Sequence, residues 1–139
     1  YQNWCKDGYA ADLAYMVREY PRRWVPQDLL PEARSIITFG VSFFSKAAQL
    51  PAKSGYGRVA RYAWGKDYHL IIKDRLTEWV KNVKDLAQRE VKEKIMVDSG
   101  PLLERAYAEQ SGLGFFGKNT LIIHKQLGSF IYLSSVKGR

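Results

Sequence analysis

Residues 67–91 carry apolar side chains at every third or fourth position, which is the spacing of one face of an α-helix. An amphipathic helix of this length must bury its apolar face against a second layer of structure. Strand-like segments elsewhere in the 139 residues can supply that layer as a sheet. The repeating residues are Ile72, Leu76, Trp79, Val80, Val83, Leu86 and Ala87.

The segment 35–44 is rich in β-branched and aromatic residues and predicts a strand buried on both faces. The other predicted strands are 95–97, 119–124 and 129–136, and the other predicted helices are 4–20, ended by Pro21, and 101–110. We expect the last two strands to pair as a hairpin. This order predicts one domain of the α/β (α+β) class, with a mixed β-sheet flanked by helices.

The net charge of +8 is concentrated in the middle of the chain, where residues 53–94 hold 11 basic and 6 acidic side chains. Aromatic residues are interleaved with this basic stretch, as in surfaces that bind a phosphate backbone and stack on bases. A lysine-rich, solvated helix face is the alternative interpretation. The interleaved aromatic residues are Tyr56, Tyr62, Trp64 and Tyr68.

The composition argues against several classes of protein. Cys5 is the only cysteine, so an internal disulfide, a thiolate zinc site and a four-cysteine iron–sulfur motif are excluded within this sequence. No apolar run approaches the roughly 20 residues of a membrane helix, and no secretory signal pattern opens the chain. We therefore expect a cytoplasmic protein. Neither His69 nor His124 has the spacing of a metal ligand.

Asp98 directly follows the short apolar strand predicted at 95–97. Pro101 is typical of the first position of a helix, with Ser99 or Gly100 as its cap. A carboxylate at the carboxyl end of a strand lies where ligand chemistry often occurs. The alternative is that Asp98 only helps to cap the helix.

Gly112, Gly114 and Gly117 form a G-x-G-x-x-G pattern, and 112–119 nearly matches a P-loop. Both motifs need a strand followed by a helix, whereas the predicted order is helix, loop, strand. Nucleotide binding is therefore disfavoured. We expect Gly112 to end the preceding helix in a left-handed conformation.

Four segments, in the same order along the chain, resemble those of the bacterial epoxyqueuosine reductases. They are Arg58-Val59-Ala60-Arg61-Tyr62-Ala63-Trp64-Gly65-Lys66-Asp67-Tyr68-His69, Val97-Asp98-Ser99-Gly100-Pro101-Leu102-Leu103-Glu104-Arg105, Gly112-Leu113-Gly114 and Gly117-Lys118-Asn119-Thr120. The similarity continues through Tyr15-Met16, Arg23, Leu29-Leu30-Pro31, Ser35-Ile36-Ile37 and Gly128-Ser129-Phe130. It covers nearly the whole chain.

The resemblance implies a nitroreductase-like, cobalamin-binding catalytic domain over 1–139. It implies an oxidoreductase that reduces epoxyqueuosine to queuosine at the wobble position of a tRNA. The family carries iron–sulfur clusters in a later ferredoxin-like domain, and we expect this chain to be without that domain. Both ends of the sequence look cut, so we expect a fragment that is inactive without an electron-donating domain or protein. The expected partner is a tRNA anticodon stem-loop, with no membrane, and a monomer is expected.

By the same resemblance, Asp98 is the proton donor to an oxygen of the opened epoxide, and loss of water then gives the alkene. Such a donor needs apolar cover, for which Tyr107, Phe115 and Phe116 are the candidates. The residues expected to bind the cofactor are Arg23, Arg61, Asp67, Ser99, Gly114, Lys118 and Asn119. Asp67 is also the expected cap of the long helix, and Arg105 is a candidate partner of Glu109.

Two other functions remain open from the residues alone. One is a non-catalytic corrinoid-binding or trafficking module, which the missing clusters favour. The other is a basic, aromatic RNA-binding domain without a cofactor. The absorption spectrum of the protein mixed with cobalamin distinguishes the RNA-binding domain from the two cobalamin-binding functions. Turnover with an artificial reductant then distinguishes an enzyme from a carrier.

Overall fold

The fold is organised around its last strand, which lies in the middle of a three-stranded sheet. The computed structural model describes residues 1–18, 23, 25–46 and 54–139. The helices are α1 (Gln2–Lys6), α2 (Ala14–Arg18), α3 (Tyr68–Ala87) and α4 (Glu104–Gln110), and the strands are β1 (Ser35–Ser42), β2 (Glu93–Met96), β3 (Phe115–Phe116), β4 (Ile122–Ile123) and β5 (Ile131–Gly138). Short 3-10 turns span Pro26–Asp28 and Arg61–Ala63.

Strand β5 pairs with β1 on one side and with β2 on the other, and both pairings are antiparallel. The β1 register runs from Ser35 opposite Gly138 to Ser42 opposite Ile131. The β2 register ends with Met96 opposite Ser135. The shorter strands β3 and β4 form a separate antiparallel pair.

Helix α3 covers one face of this sheet with the apolar residues that define its periodicity. Ile72, Leu76 and Val80 are buried and form one cluster with Val136 of β5 and with Val97, which directly follows β2. The side chain of Asp67 accepts the His69 backbone N–H at 2.9 Å, which caps the first turn of the helix. The long helix and its cap are thus confirmed.

Helix α4 and the turn after it cover the opposite face. The hydroxyls of Thr38 in β1 and Ser111 after α4 lie 2.6 Å apart and share a hydrogen bond. The Leu113 side chain packs over Gly40 of β1. Helices therefore lie on both faces of the sheet, which confirms the predicted α/β class, and every pairing among the described strands is antiparallel.

Several predicted element boundaries were wrong. Helix 4–20 is broken between α1 and α2, because Gly8 and Ala11 adopt left-handed backbone angles of 77° and 45° in the intervening turn. Tyr20 and Pro21, where that helix was predicted to end, lie outside the described residues. The long helix ends at Ala87 rather than 91, because Gln88 is left-handed with φ 48°.

The predicted closing hairpin between 119–124 and 129–136 is also wrong. Strand β4 pairs with β3, and β5 crosses to pair with β1 and β2. Helix α4 begins at Glu104 instead of Pro101, so neither Ser99 nor Gly100 caps it. Gly112 does follow α4 with a φ of 75°, as predicted.

Lys137 is an unusual residue of the central strand because its side chain is 0% exposed. Its Nζ atom has no hydrogen-bond partner among the residues that the structure describes. Burial, together with the neighbouring positive charge of Lys94, lowers the pKa of Lys137 to about 8. The charged form therefore destabilises the folded state.

We expect Lys137→Met to raise the free energy of unfolding at pH 7 by about 1–3 kcal/mol, because it removes an uncompensated buried charge. The unfolded chain binds more protons than the folded chain between the folded pKa of about 8 and the ordinary value of 10.5. Stability of the native chain should thus rise with pH across this window, and the variant should lose that rise. Urea denaturation at several pH values measures both effects. Lys81→Met, at an exposed position, is the control. Equal pH dependence of the free energy of unfolding in the native chain and in Lys137→Met would contradict the lowered pKa of Lys137.

Candidate functional site

A cavity of about 740 Å³ opens beside the end of β2, between the sheet, the start of α3 and the start of α4. Its walls are mainly aromatic and aliphatic, with a few polar side chains, as is usual for sites that hold small organic ligands. The polar and aromatic lining residues include Arg23, Phe43, Tyr62, Tyr68, Asp98, Glu104, Arg105, Phe116 and Tyr132.

Asp98 lies at this cavity just beyond the carboxyl end of β2, as predicted. Its backbone is left-handed, with a φ of 49°, a conformation that aspartate and asparagine tolerate better than most residues. The Tyr68 hydroxyl donates a hydrogen bond to Oδ2 of Asp98 at 2.8 Å. The Asp98 side chain is thus held from the first turn of α3 rather than serving as a cap of α4.

Tyr68 is itself fixed by aromatic contacts. Its ring stacks on that of Tyr132 in β5, with the centroids 4.0 Å apart and the planes 6° from parallel. The Tyr132 hydroxyl donates to the backbone oxygen of Tyr62, and Phe43 packs against Tyr132 at 4.6 Å. Burial, with the Asp98 carboxylate next in importance, raises the pKa of Tyr68, so its hydroxyl remains a donor.

Glu104, the first residue of α4, is the second carboxyl of the cavity. The Oε1 atom of its carboxyl is buried with no hydrogen-bond partner among the described residues. Burial, and then the negative charge of Asp98, raise the pKa of Glu104 to about 7. Two carboxyls with different environments therefore adjoin one cavity.

A second cavity of about 600 Å³ adjoins the first and is lined by Arg23, Ser99, Asp98, Glu104 and neighbouring residues. Arg23 borders both cavities, and its Nε atom is buried without a partner among the described residues. The Arg23 guanidinium lies 5.9 Å from the centre of the Tyr15 ring. A buried arginine nitrogen without a partner is suited to donate a hydrogen bond to a polar or anionic group of a ligand.

Arg61 and Asp67 line neither cavity. The guanidinium of Arg61 donates to the Ser45 backbone oxygen at 2.8 Å and lies over the rings of Phe44, Trp64 and Phe130. The carboxylate of Asp67 is engaged by His69, with Oδ1 2.8 Å from the histidine Nδ1. Both residues hold the segment before α3 in place.

Gly114, Lys118 and Asn119 also lie outside the linings of both cavities. A Cβ at Gly114 would stand 2.6 Å from the Ile123 carbonyl oxygen, so the close approach at this glycine is to strand β4. The Lys118 side chain is exposed. The Asn119 side-chain oxygen accepts the Leu121 backbone N–H at 3.2 Å and shapes the turn between β3 and β4.

The glycine pattern contains β3 and is followed by β4 rather than by a helix, in keeping with the argument against nucleotide binding. Of the three candidates for apolar cover, Phe116 lines the main cavity, whereas Tyr107 and Phe115 do not. Arg105 donates to the Thr120 carbonyl oxygen at 3.0 Å, and the predicted pair with Glu109 does not form. The carboxylate of Glu109 accepts the Phe116 backbone N–H.

Sequence reasoning missed Tyr68 and Glu104 as members of the site. Both lie within the sequence segments that resemble the reductases, and this is the signal that could have drawn attention to them. Within the described residues, there is no cluster of three or more potential metal-ligating side chains. None of the described helices is long and apolar enough to span a membrane.

Comparison with known proteins gives the family that the sequence segments resemble. Residues 23–99 match the family model described as Epoxyqueuosine reductase QueG, DUF1730. The chain belongs to the epoxyqueuosine reductase family. A curated epoxyqueuosine reductase from Synechocystis sp. is 37% identical over 139 residues, which cover 97% of this chain and 45% of the relative. The chain thus spans less than half the length of that relative.

Solved structures of this family share the fold. The structure of epoxyqueuosine reductase from Streptococcus thermophilus matches with a TM-score of 0.79 and 30% identity, over 99% of this chain and 39% of that one. A crystal structure of epoxyqueuosine reductase with an epoxyqueuosine-modified tRNA-Tyr stem-loop matches with a TM-score of 0.75 and 34% identity, over 84% of this chain and 31% of that one.

The packing role of Gly114 can be tested directly. We expect Gly114→Ala to lower the free energy of unfolding by about 1–3 kcal/mol, because the new methyl group would overlap the Ile123 carbonyl oxygen and force the hairpin to shift. Gly57→Ala is the matched control, since a Cβ there meets nothing within 4 Å. Thermal unfolding followed by circular dichroism measures both variants. Equal midpoints for the two variants would show that Gly114 is not constrained by packing.

Proposed function

We propose that this chain is the cobalamin-binding catalytic domain of an enzyme that reduces epoxyqueuosine to queuosine in tRNA. The observation that carries the proposal is the placement of Asp98: its carboxyl is held by Tyr68 at 2.8 Å on the border of a large aromatic cavity. Asp98 is exposed, but the hydrogen bond from Tyr68 fixes the direction of its carboxyl, as a directed proton donor requires. Membership of the epoxyqueuosine reductase family supports the substrate assignment.

The chemistry of the cavity lining suits a corrin. A corrin is a broad macrocycle with apolar faces and amide side chains around its edge, and the aromatic walls suit its faces. Arg23, with a buried Nε that lacks a partner among the described residues, is placed to meet an amide oxygen or the phosphate of the nucleotide tail. Ser99 in the second cavity offers a further hydroxyl. The bound cofactor supplies the low-potential reducing chemistry that the amino acids of this chain lack.

Within this chain the catalytic task is to deliver a proton to the oxygen released from the epoxide. The Tyr68 hydroxyl donates to Oδ2 of Asp98, so Oδ1 is the oxygen that would carry the proton to the substrate. The stack of Tyr68 on Tyr132 orients this donor relative to β5. Phe116 and Leu121 supply apolar surface to the wall of the cavity. The two electrons of the reduction come from an iron–sulfur domain, a partner protein or a chemical reductant.

A tRNA partner is supported by the relative solved with a modified stem-loop and by the surface of this chain. The segment before α3 exposes Arg58, Tyr62 and Lys66 beside the cavity rim to which Tyr62 belongs. Cationic and aromatic side chains in such a strip neutralise phosphates and stack on unpaired bases.

Cofactor binding gives the first test. We expect the purified chain to bind cobalamin in a base-off state and Arg23→Ala to weaken binding by about 1–3 kcal/mol, because a buried polar group of the ligand loses its partner. Arg75→Ala, on the exposed face of α3, is the charge-matched control and should leave affinity unchanged. Titration followed by visible absorption measures all three proteins. An unchanged spectrum of excess cobalamin on adding folded native chain would refute the cofactor assignment.

Turnover gives the second test. We expect Asp98→Asn to lower the rate by about 10²–10⁴-fold, because asparagine keeps the left-handed backbone and the acceptor for Tyr68 but cannot deliver a proton. Queuosine formed on an epoxyqueuosine-containing anticodon stem-loop is measured with cobalamin and an artificial low-potential reductant. Asp74→Asn on the exposed side of α3 is the control. Wild-type turnover by Asp98→Asn would remove Asp98 from the mechanism, and loss of fold and cofactor binding would make its role structural.

A further inference from the structure

Three exposed aromatic rings surround the guanidinium of Arg61 beside the main cavity. The distances from its central carbon to the ring centres are 5.8 Å for Phe44, 5.6 Å for Trp64 and 5.9 Å for Phe130. These rings are 57%, 37% and 39% exposed, respectively. We call the four residues the Arg61 cluster. Large aromatic side chains left in water at one place mark a surface that binds a partner.

Backbone contacts hold the Arg61 cluster in a fixed arrangement. The Arg61 guanidinium donates to the Ser45 backbone oxygen at 2.8 Å. The Phe43 backbone N–H donates to the Phe130 carbonyl oxygen at 3.0 Å, which brings the end of β1 beside the segment before β5. The rings of Phe44 and Phe130 then meet edge to face, with their centres 5.8 Å apart. A surface that is already ordered loses little conformational entropy when a partner binds.

The Arg61 cluster adjoins the main cavity. Phe43 and Ile131 line that cavity, and their neighbours in the chain, Phe44 and Phe130, belong to the cluster. Tyr62, which directly follows Arg61, also lines the cavity. Groups attached to a ligand in the cavity can therefore contact the cluster.

The charge around the Arg61 cluster favours one class of partner. Residues 58–69 hold the cations Arg58, Arg61 and Lys66 and a single acid, Asp67, whose carboxylate is engaged by His69. An unpaired nucleotide offers a phosphate to the cations and a flat base to the rings. An acidic peptide has the charge without the flat faces, and an apolar protein surface would leave the cations without partners.

We infer that the Arg61 cluster binds an unpaired nucleotide of the RNA substrate, next to the nucleotide whose base enters the cavity. The exposed rings stack on its base, and the neighbouring cations meet its phosphate. This inference rests on the tRNA partner proposed above and assigns the surface that binds the loop beside the reacting nucleotide.

RNA affinity gives the first test, with a fluorescently labelled, unmodified anticodon stem-loop titrated at constant salt and followed by anisotropy. We expect Phe44→Ala and Phe44→Leu to weaken binding by about 5–100-fold, because neither side chain offers a flat ring to a base. Phe44→Tyr keeps the ring and should bind with nearly native affinity. Tyr9→Ala is the control, since Tyr9 is an exposed aromatic residue whose ring stacks on Trp4 instead. Native affinity in Phe44→Ala overturns the inference.

A second test distinguishes stacking from a purely structural role of Phe44. Each unpaired base of the loop is removed in turn, leaving an abasic nucleotide. At the stacked position, the abasic change should weaken binding to the native chain but not to Phe44→Ala, because both changes remove the same contact. A structural role would instead lower the affinity for every stem-loop by the same factor, and such additivity at all loop positions overturns the inference. Phe130→Ala allows the same comparison if Phe44→Ala does not fold.

The outcomes separate this inference from the proposed function. If the stem-loop binds the native chain and Phe44→Ala equally well, only the stacking surface is wrong. If the stem-loop does not bind the native chain at all, the tRNA partner and this inference fail together, while cobalamin binding remains a separate measurement. Displacement of the stem-loop by polyglutamate as readily as by single-stranded RNA of equal charge would assign the surface to acidic peptides and overturn the inference.

Discussion

Antiparallel pairing of β5 with both β1 and β2 determines where each part of the site lies. The pairing with β2 brings the carboxyl end of that strand, and therefore Asp98, alongside β5. The same strand carries Tyr132, whose ring stacks on Tyr68 at the start of α3. Helix α4 packs on the other face of the sheet and places Glu104 next to Asp98. Three elements that follow one another in the sequence, α3, β2 and α4, thus meet beside one later strand, β5.

The site combines an apolar cavity with two carboxyls whose surroundings differ. Asp98 is hydrogen-bonded to a tyrosine whose pKa is raised, so that the hydroxyl donates and the carboxyl accepts. Glu104 is the more deeply enclosed acid, with its pKa raised to about 7. Such pairs divide the tasks of holding a proton and of orienting the group that delivers it.

Periodicity and local chemistry predicted much of the scaffold. The spacing of Ile72, Leu76 and Val80 predicted the helix and its buried face, and Asp67 was correctly predicted as its cap. The pairing of β5 could not be predicted, because strand partners are chosen by packing between distant segments rather than by local pattern. The break in the predicted helix 4–20 was missed because Ala11, which is a good helix former, adopts a left-handed backbone conformation in the turn.

The sequence segments that resemble the reductases contain residues that line the two cavities and residues that do not. Asp98 and Arg23 line the main cavity, and Ser99 the adjoining one. Arg61, Asp67 and Gly114 instead stabilise the surrounding segments. Glycine and arginine occur both in packing contacts and in binding sites, so only the three-dimensional contacts show which role each residue has.

A crystal structure of the chain with cobalamin and an epoxyqueuosine-containing stem-loop tests the central claim most directly. The measured quantity is the distance from the Asp98 carboxyl to the nearest epoxide oxygen or the hydroxyl derived from it. The account predicts a corrin in the cavity lined by Tyr68, Arg23 and Phe116, and a distance of about 2.6–3.2 Å, the range for direct proton transfer. A corrin bound elsewhere, or a substrate oxygen within that distance of another acid and remote from Asp98, would contradict it.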